Sequence, residues 1–249
     1  MGCRFFIVFA WVLLVYAAPA PAQEYPRWFL RQGDLSCPLC AAGYGQPSMY
    51  LDTTGGPAFQ NGVMNAVIFQ GSTFTGSEGF WTAEFGTMVF GSSVTEEYDT
   101  AAVEVALRTL KPLHQFRSPK FTLVLAGNPA CPLSDPDRAT INIRNVPRPS
   151  WVERPPQSPT HLYAVGMSAE YFYETSSWLM AEKTARRELA RSVSSALRGL
   201  QRMSKVGQEV RDETITCRLR EVQVIERWKD PVKRIHYVLV RMLKTNAGR

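Results

Sequence analysis

Eight prolines crowd residues 129–160: Pro129, Pro132, Pro136, Pro147, Pro149, Pro155, Pro156 and Pro159. Proline lacks an amide donor and restricts the residue before it, so neither a long helix nor a central strand fits there. The stretch is expected to be a linker region carrying one short strand at residues 139–144. A chain of 249 residues has room for one large domain or two smaller ones. The proline band favours two, at residues 23–128 and 161–249. With 45% hydrophobic and 20% charged residues, the chain has the composition of globular protein rather than of a disordered or collagen-like one.

Residues 1–22 read as a secretory leader. Arg4 supplies the positive charge, Phe5 to Tyr16 is continuously apolar, and Ala20-Pro21-Ala22 offers small residues for cleavage before Gln23. The apolar run is short of the ~20 residues a spanning helix needs. A bacterial lipoprotein would carry its acylated cysteine just after that run, where alanines and prolines stand instead. Cys3 lies before the run, so lipidation is not expected. The expected location is the periplasm or outer envelope. The net charge of +6 becomes about +5 once Arg4 leaves, which fits attraction to anionic lipid or glycan but also plain solubility.

The C-terminal half is the more legible. A strand at residues 161–166 is followed by a helix over residues 175–203, where Trp178, Ala181, Ala185, Leu189, Val193, Ala196, Leu200 and Met203 form one apolar stripe. Ile215, Cys217 and Leu219 then alternate, with a break near Glu221. Lys229-Asp230-Pro231 makes a turn, and residues 235–243 form a last strand. One long helix on a small, mainly antiparallel sheet defines an α+β unit. In the first half, residues 70–93 suggest a hairpin or long loop. Ser93 to Glu96 matches a capping box for a helix at 95–110, with Glu96 and Glu97 at its positive end, and residues 121–125 read as a buried strand. An echo links the halves: Pro26-Arg27-Trp28 and Ala41-Ala42-Gly43 recur as Pro149-Ser150-Trp151 and Ala164-Val165-Gly166, 123 positions later. Two readings stay open, a divergent copy of one unit or a chance match, since the first half places its expected helix after a hairpin.

Taken in order, several pieces of residues 149–243 resemble one family. They are Pro149-Ser150-Trp151, Tyr163-Ala164-Val165-Gly166, the helix from Ala181-Glu182-Lys183 through Arg186-Arg187-Glu188-Leu189-Ala190, Val224-Ile225-Glu226-Arg227-Trp228 with Asp230, and Tyr237-Val238-Leu239-Val240-Arg241. This order resembles the Lpp-twenty-type bacterial lipoprotein family, related to the N-terminal domain of the flagellar protein FlgT. The resemblance implies an envelope protein acting in structure or assembly, and brings no catalytic residue with it. Its aromatic positions, Trp151, Tyr163, Trp228 and Tyr237, are expected to pack in the core.

No constellation of residues reads as an active site. After leader removal Cys37, Cys40, Cys131 and Cys217 remain, and an even number in an exported chain points to disulfides, with three pairings open. Cys37-Pro38-Leu39-Cys40 also has the spacing for thiol-disulfide exchange, but lacks a convincing strand before it. A zinc ribbon would need a second such pair. His114, His161 and His236 show no metal-ligand spacing. Gly71 to Gly76 has P-loop spacing, but Ser77-Glu78 stands where lysine is needed, and there is no nucleophile elbow. The expectation is therefore a non-enzymatic interaction module, with no cofactor, no metal and no nucleic acid. Its partner would be an envelope protein or a second copy, met through a sheet edge. Two alternatives are an oxidoreductase using Cys37 and Cys40, and a binder of anionic glycan or lipid, in peripheral contact with the membrane, through Arg186, Arg187, Arg191, Arg198 and Arg202.

Overall fold

A computed structural model describes residues 23–37, 39–46, 55–83, 86–198 and 209–247. Residues 1–22, where the sequence suggests a leader, lie outside the described residues, Cys3 among them, as do Leu200, Arg202 and Met203. In chain order, β1 (Glu24–Pro26) and the one-turn α1 (Arg27–Leu30) lead to β2 (Cys40–Gly45), α2 (Gly55–Gln70) and a long β3 (Gly71–Ala83). Strands β4 (Gly86–Ser92) and β5 (Thr95–Tyr98), helix α3 (Thr100–Thr109), and strands β6 (Lys111–Arg117) and β7 (Thr122–Gly127) complete the first half. The proline-rich stretch holds α4 (Asp135–Arg138) and β8 (Thr140–Asn142). The second half consists of β9 (His161–Ala169), α5 (Glu174–Arg198), β10 (Glu209–Arg220), β11 (Gln223–Asp230) and β12 (Ile235–Leu243). The molecule is α+β, and its sheets are antiparallel.

Helix α5 forms where the apolar stripe predicts it, burying Trp178, Ala181, Ala185, Leu189 and Val193 against β9, β12 and β10. The sheet beneath it runs β11-β12-β9. The first half repeats this plan: α2 lies on β2 and β7, in a sheet ordered β6-β7-β2. The match extends to single residues. Gly43 pairs with Val124, which pairs with Gln115; Gly166 pairs with Val238, which pairs with Arg227. A bulge interrupts β6 between Pro112 and His114, and another interrupts β11 between Val224 and Glu226. The offset of 123 positions holds from Trp28 and Trp151 through the glycines to the helices. A Cβ on Gly43 would lie 1.9 Å from the Ala58 carbonyl oxygen and 2.4 Å from the Gly62 amide; one on Gly166 would lie 2.1 Å from both the Ala181 oxygen and the Ala185 amide. Ala58 and Ala181, like Gly62 and Ala185, are also 123 apart. Two strand–helix seats of one geometry therefore make the halves a structural repeat.

The long strands tie the units together. Strands β3 and β10 pair in register from Gly71 opposite Arg220 to Thr82 opposite Glu209, with β4 and β5 on the far side of β3. Ile215, Cys217 and Leu219 are buried at the base of this ribbon, as the alternation predicts, and Phe74, opposite Cys217, is buried with them. The P-loop-like run Gly71 to Gly76 is simply part of β3.

Several expectations are corrected. Residues 95–98 are strand, not helix, and α3 begins at Thr100 with the Asp99 carboxylate accepting from the Ala101 and Ala102 amides. The Ser93/Glu96 spacing imitates a capping box, but β3 offers an open edge at Ser72 to Thr75 that residues 95–98 fill. Glu96 and Glu97 are thus strand residues. Helix α2 and strand β2, for which the sequence shows no clear pattern, supply the first half's strand–helix pair. The strand starting at 161 runs on to Ala169, and β11 continues through Asp230, so the reversal occupies residues 231–234. The strand expected at 139–144 is Thr140–Asn142, paired with β1. The proline-rich stretch is packed rather than loose, with Ile143 and Trp151 both buried. Trp228 and Tyr237 are buried with it, and Tyr163 is half-buried.

Candidate functional site

The residues singled out from the sequence separate into structural pieces. Cys37 is bonded to Cys131, 94 positions away, while Cys40 and Cys217 carry free thiols. Burial pushes the Cys40 thiol up to about 11, against the pull of Arg227 and Gln32, so it is almost wholly protonated at neutral pH and a slow nucleophile. A cavity of about 320 Å³ opens beside it, lined by Gln32, Cys37, Phe69, Glu221 and Arg241 among others. Arg186 is buried and grips the Glu96 carboxylate with two bonds, 2.6 and 3.0 Å. Arg191 donates to Glu188 at 2.5 Å, and Arg187 is engaged as well. Arg186, Arg187 and Arg191 are thus occupied within the fold, and Arg198 is the last described residue of α5. Trp28 donates to His114 at 3.1 Å, the repeat counterpart of Trp151 donating to Glu226 at 2.8 Å. His161 sits beside Thr160 at 2.8 Å. Among the described residues no group of three His, Cys, Asp or Glu is placed to hold a metal ion. No helix among them is long and apolar enough to cross a membrane.

A different place stands out, at the end of the second unit where β9 passes into α5. Glu174, first residue of α5, turns its carboxylate inward, where Gln23, Tyr25, Lys229 and His236 converge on it; Lys229 lies at 3.1 Å and His236 at 3.4 Å. Burial alone would raise the carboxyl pKa. His236, the Lys229 charge and the Tyr25 hydroxyl more than offset that and hold it down at about 2. Glu170, at the other end of the connection, is bound by Lys229 at 2.9 Å and by Arg234. The Glu170 amide donates to the Arg234 carbonyl at 3.0 Å, and the Tyr171 amide donates to the Ser177 hydroxyl at 2.8 Å.

With both flanks tied inward, the three residues between them face outward. Tyr171, Phe172 and Tyr173 are 50%, 94% and 41% exposed. The neighbouring β11–β12 turn is built the same way: Asp230 accepts from the Val232 and Lys233 amides at 2.9 and 2.8 Å, leaving Val232 87% exposed. A cleft of about 390 Å³ lies under the aromatic loop, edged by Lys120, Glu170 and Arg234. Sequence reasoning passed over this apex, although a signal was present. Three consecutive aromatics between a strand end and a helix start cannot all turn toward one core, because neither a period of 2 nor one of 3.6 aligns them.

The cluster beneath the apex makes stability pH-dependent. His236 is held below its usual 6.5, chiefly by burial, so the unfolded chain takes up a proton below that pH that the folded chain refuses. Below the usual carboxylate value of 4.5 the same holds for Glu174, until about 2. Stability is therefore full at pH 7 and falls as the pH drops through these windows, Glu174 accounting for roughly 3 kcal/mol. Denaturant midpoints at pH 7, 5 and 3 should fall in that order, and Glu174→Gln should flatten the decline below pH 4.5. An unchanged slope in that variant would refute this account.

Fold and site together define a class: a two-unit α+β repeat whose buried charged side chains are bonded within the fold and whose second unit carries an exposed aromatic apex. Comparison of the chain with family models, curated proteins and solved structures finds no match.

Proposed function

We propose that this chain is an exported, non-enzymatic module of the bacterial envelope that works by presenting a surface, the role that the Lpp-twenty-type resemblance implies. The observation supporting this is the apex: Tyr171, Phe172, Tyr173 and Val232 held outward by hydrogen bonds and ion pairs on both flanks. Ordering a loop so as to leave an aromatic ring 94% exposed stabilises nothing within the chain. The groups that could have been chemical are absorbed into structure: Cys37 in a disulfide, Arg186 on Glu96, Glu174 in its cluster. Export through residues 1–22 would place this surface among envelope components.

The test is a photo-crosslinking residue at position 172 in intact cells, followed by mass spectrometry of the captured products and of the chain's own N-terminus. Reproducible capture of envelope components by a chain that begins at Gln23 is the expected result. A folded protein that retains residues 1–22, or one that crosslinks to nothing, overturns the reading.

A further inference from the structure

We propose that the apex is a docking surface for an anionic lipid bilayer, which rests on the envelope reading above and names its partner. Phe172 and Val232 enter the boundary between headgroups and acyl chains, the Tyr171 and Tyr173 hydroxyls stay at headgroup level, and Lys120 and Lys233 meet lipid phosphates.

Charge and shape both point there. Lys120, Lys233 and Arg234 are all exposed, around the cleft or on the β11–β12 turn. The acids near them are occupied: Glu170 by Lys229 and Arg234, Asp230 by the turn amides, Glu174 by its buried cluster. Lys229 and Arg234 offset Glu170 and Glu174, so the exposed cations Lys120 and Lys233 stand against Asp230 alone, and they face solvent together with the apolar tips. A combination of protruding apolar side chains, amphipathic rings and cations fits a bilayer interface, where a fluid receptor needs no matching pocket. A protein partner would instead have to supply a cavity for a ring this exposed. A glycan would favour a flat aromatic platform, but Phe172 and Tyr173 meet edge to face, 4.9 Å apart at 85°. Arg186, Arg187 and Arg191 of α5, bonded inside the fold, do not compete for this role.

The experiment is co-sedimentation of the mature chain with phosphatidylglycerol/phosphatidylethanolamine vesicles and with all-phosphatidylcholine vesicles, at low and high salt. Binding is expected on the anionic vesicles, weakening with salt. Lys120→Gln and Lys233→Gln should each weaken it about fivefold. Phe172→Asp should weaken it at least tenfold, and since the ring is almost fully exposed its melting temperature should match that of the parent. Equal binding to both vesicle types, or a Phe172→Asp variant that binds undiminished, overturns the proposal. No vesicle binding, while the position-172 probe traps a protein or a glycan in cells, overturns the lipid partner and leaves the envelope reading standing. Failure of both overturns both.

Discussion

Replacing Arg227 by methionine should cost about 3–5 kcal/mol of folding stability, the largest loss expected from any single substitution considered. The guanidinium is fully buried and joins both halves. It donates to Glu182 of α5 at 2.5 and 3.1 Å, to the Phe29 carbonyl at 2.6 Å and to Gln32 at 3.0 Å, and it lies 4.4 Å above the Phe29 ring. Tyr44 of β2 completes the site by donating to the same Glu182 oxygen at 2.6 Å. The methionine side chain would fill most of the volume but leave the Glu182 carboxylate buried with one hydroxyl for company. That uncompensated charge, more than the lost packing, sets the size of the effect. Folded domains typically have only about 5–15 kcal/mol in hand, so the variant should be close to unfolding at 37 °C. A second substitution separates the causes. Glu182→Met combined with Arg227→Met removes both charges and should recover at least half of the loss in urea midpoints. Equal losses in the single and double variants would mean that the pair serves only as packing.

The same residue shows what the sequence could reveal and what it could not. Strand β12 was legible to the residue, because IHYVLVRML is long and apolar and lies just after a clear turn. Helix α5 was legible because its stripe recurs through most of its 25 residues. The role of Arg227 was not: it stands in a strand segment where an arginine normally marks the wet face, and only the packing of β11 against α1, with β2 nearby, turns it inward. Helix α2 was missed for a related reason. Its sequence, GGPAFQNGVMNAVIFQ, is apolar nearly all round and begins with two glycines, so no stripe stands out against a polar face. Strand β2, CAAGYG, has small residues where strands usually carry branched ones, because α2 lies so close above it. The disulfide could not be chosen among three pairings, and the apex was invisible to a search for periodicity because its residues are ordered by what flanks them.

Gly166→Ala should cost about 3 kcal/mol, at the upper end of what overpacking usually does. The new Cβ would lie 2.1 Å from the Ala181 oxygen and the Ala185 amide, both backbone atoms, so no side chain can turn away and α5 itself must lift from β9. Gly43→Ala meets the Ala58 oxygen at 1.9 Å and the Gly62 amide at 2.4 Å, and should cost as much. Gly56→Ala is the internal control: it lies in α2 with nothing within 4 Å of its Cβ, and should be neutral or stabilising by up to about 1 kcal/mol. Denaturant midpoints of the three variants test the repeat at its seats. If Gly43 and Gly166 are equivalent, the two losses agree within about 0.5 kcal/mol and both far exceed the control. A Gly43→Ala variant as stable as the parent would mean that α2 can slide on its sheet where α5 cannot, and the equivalence of the two units would end at topology. Equal, large losses would show that one strand–helix contact, used twice, fixes how closely each helix approaches its sheet. The long β3–β10 pairing and Arg227 then hold the two seats in one body, with the aromatic apex at the end of the second.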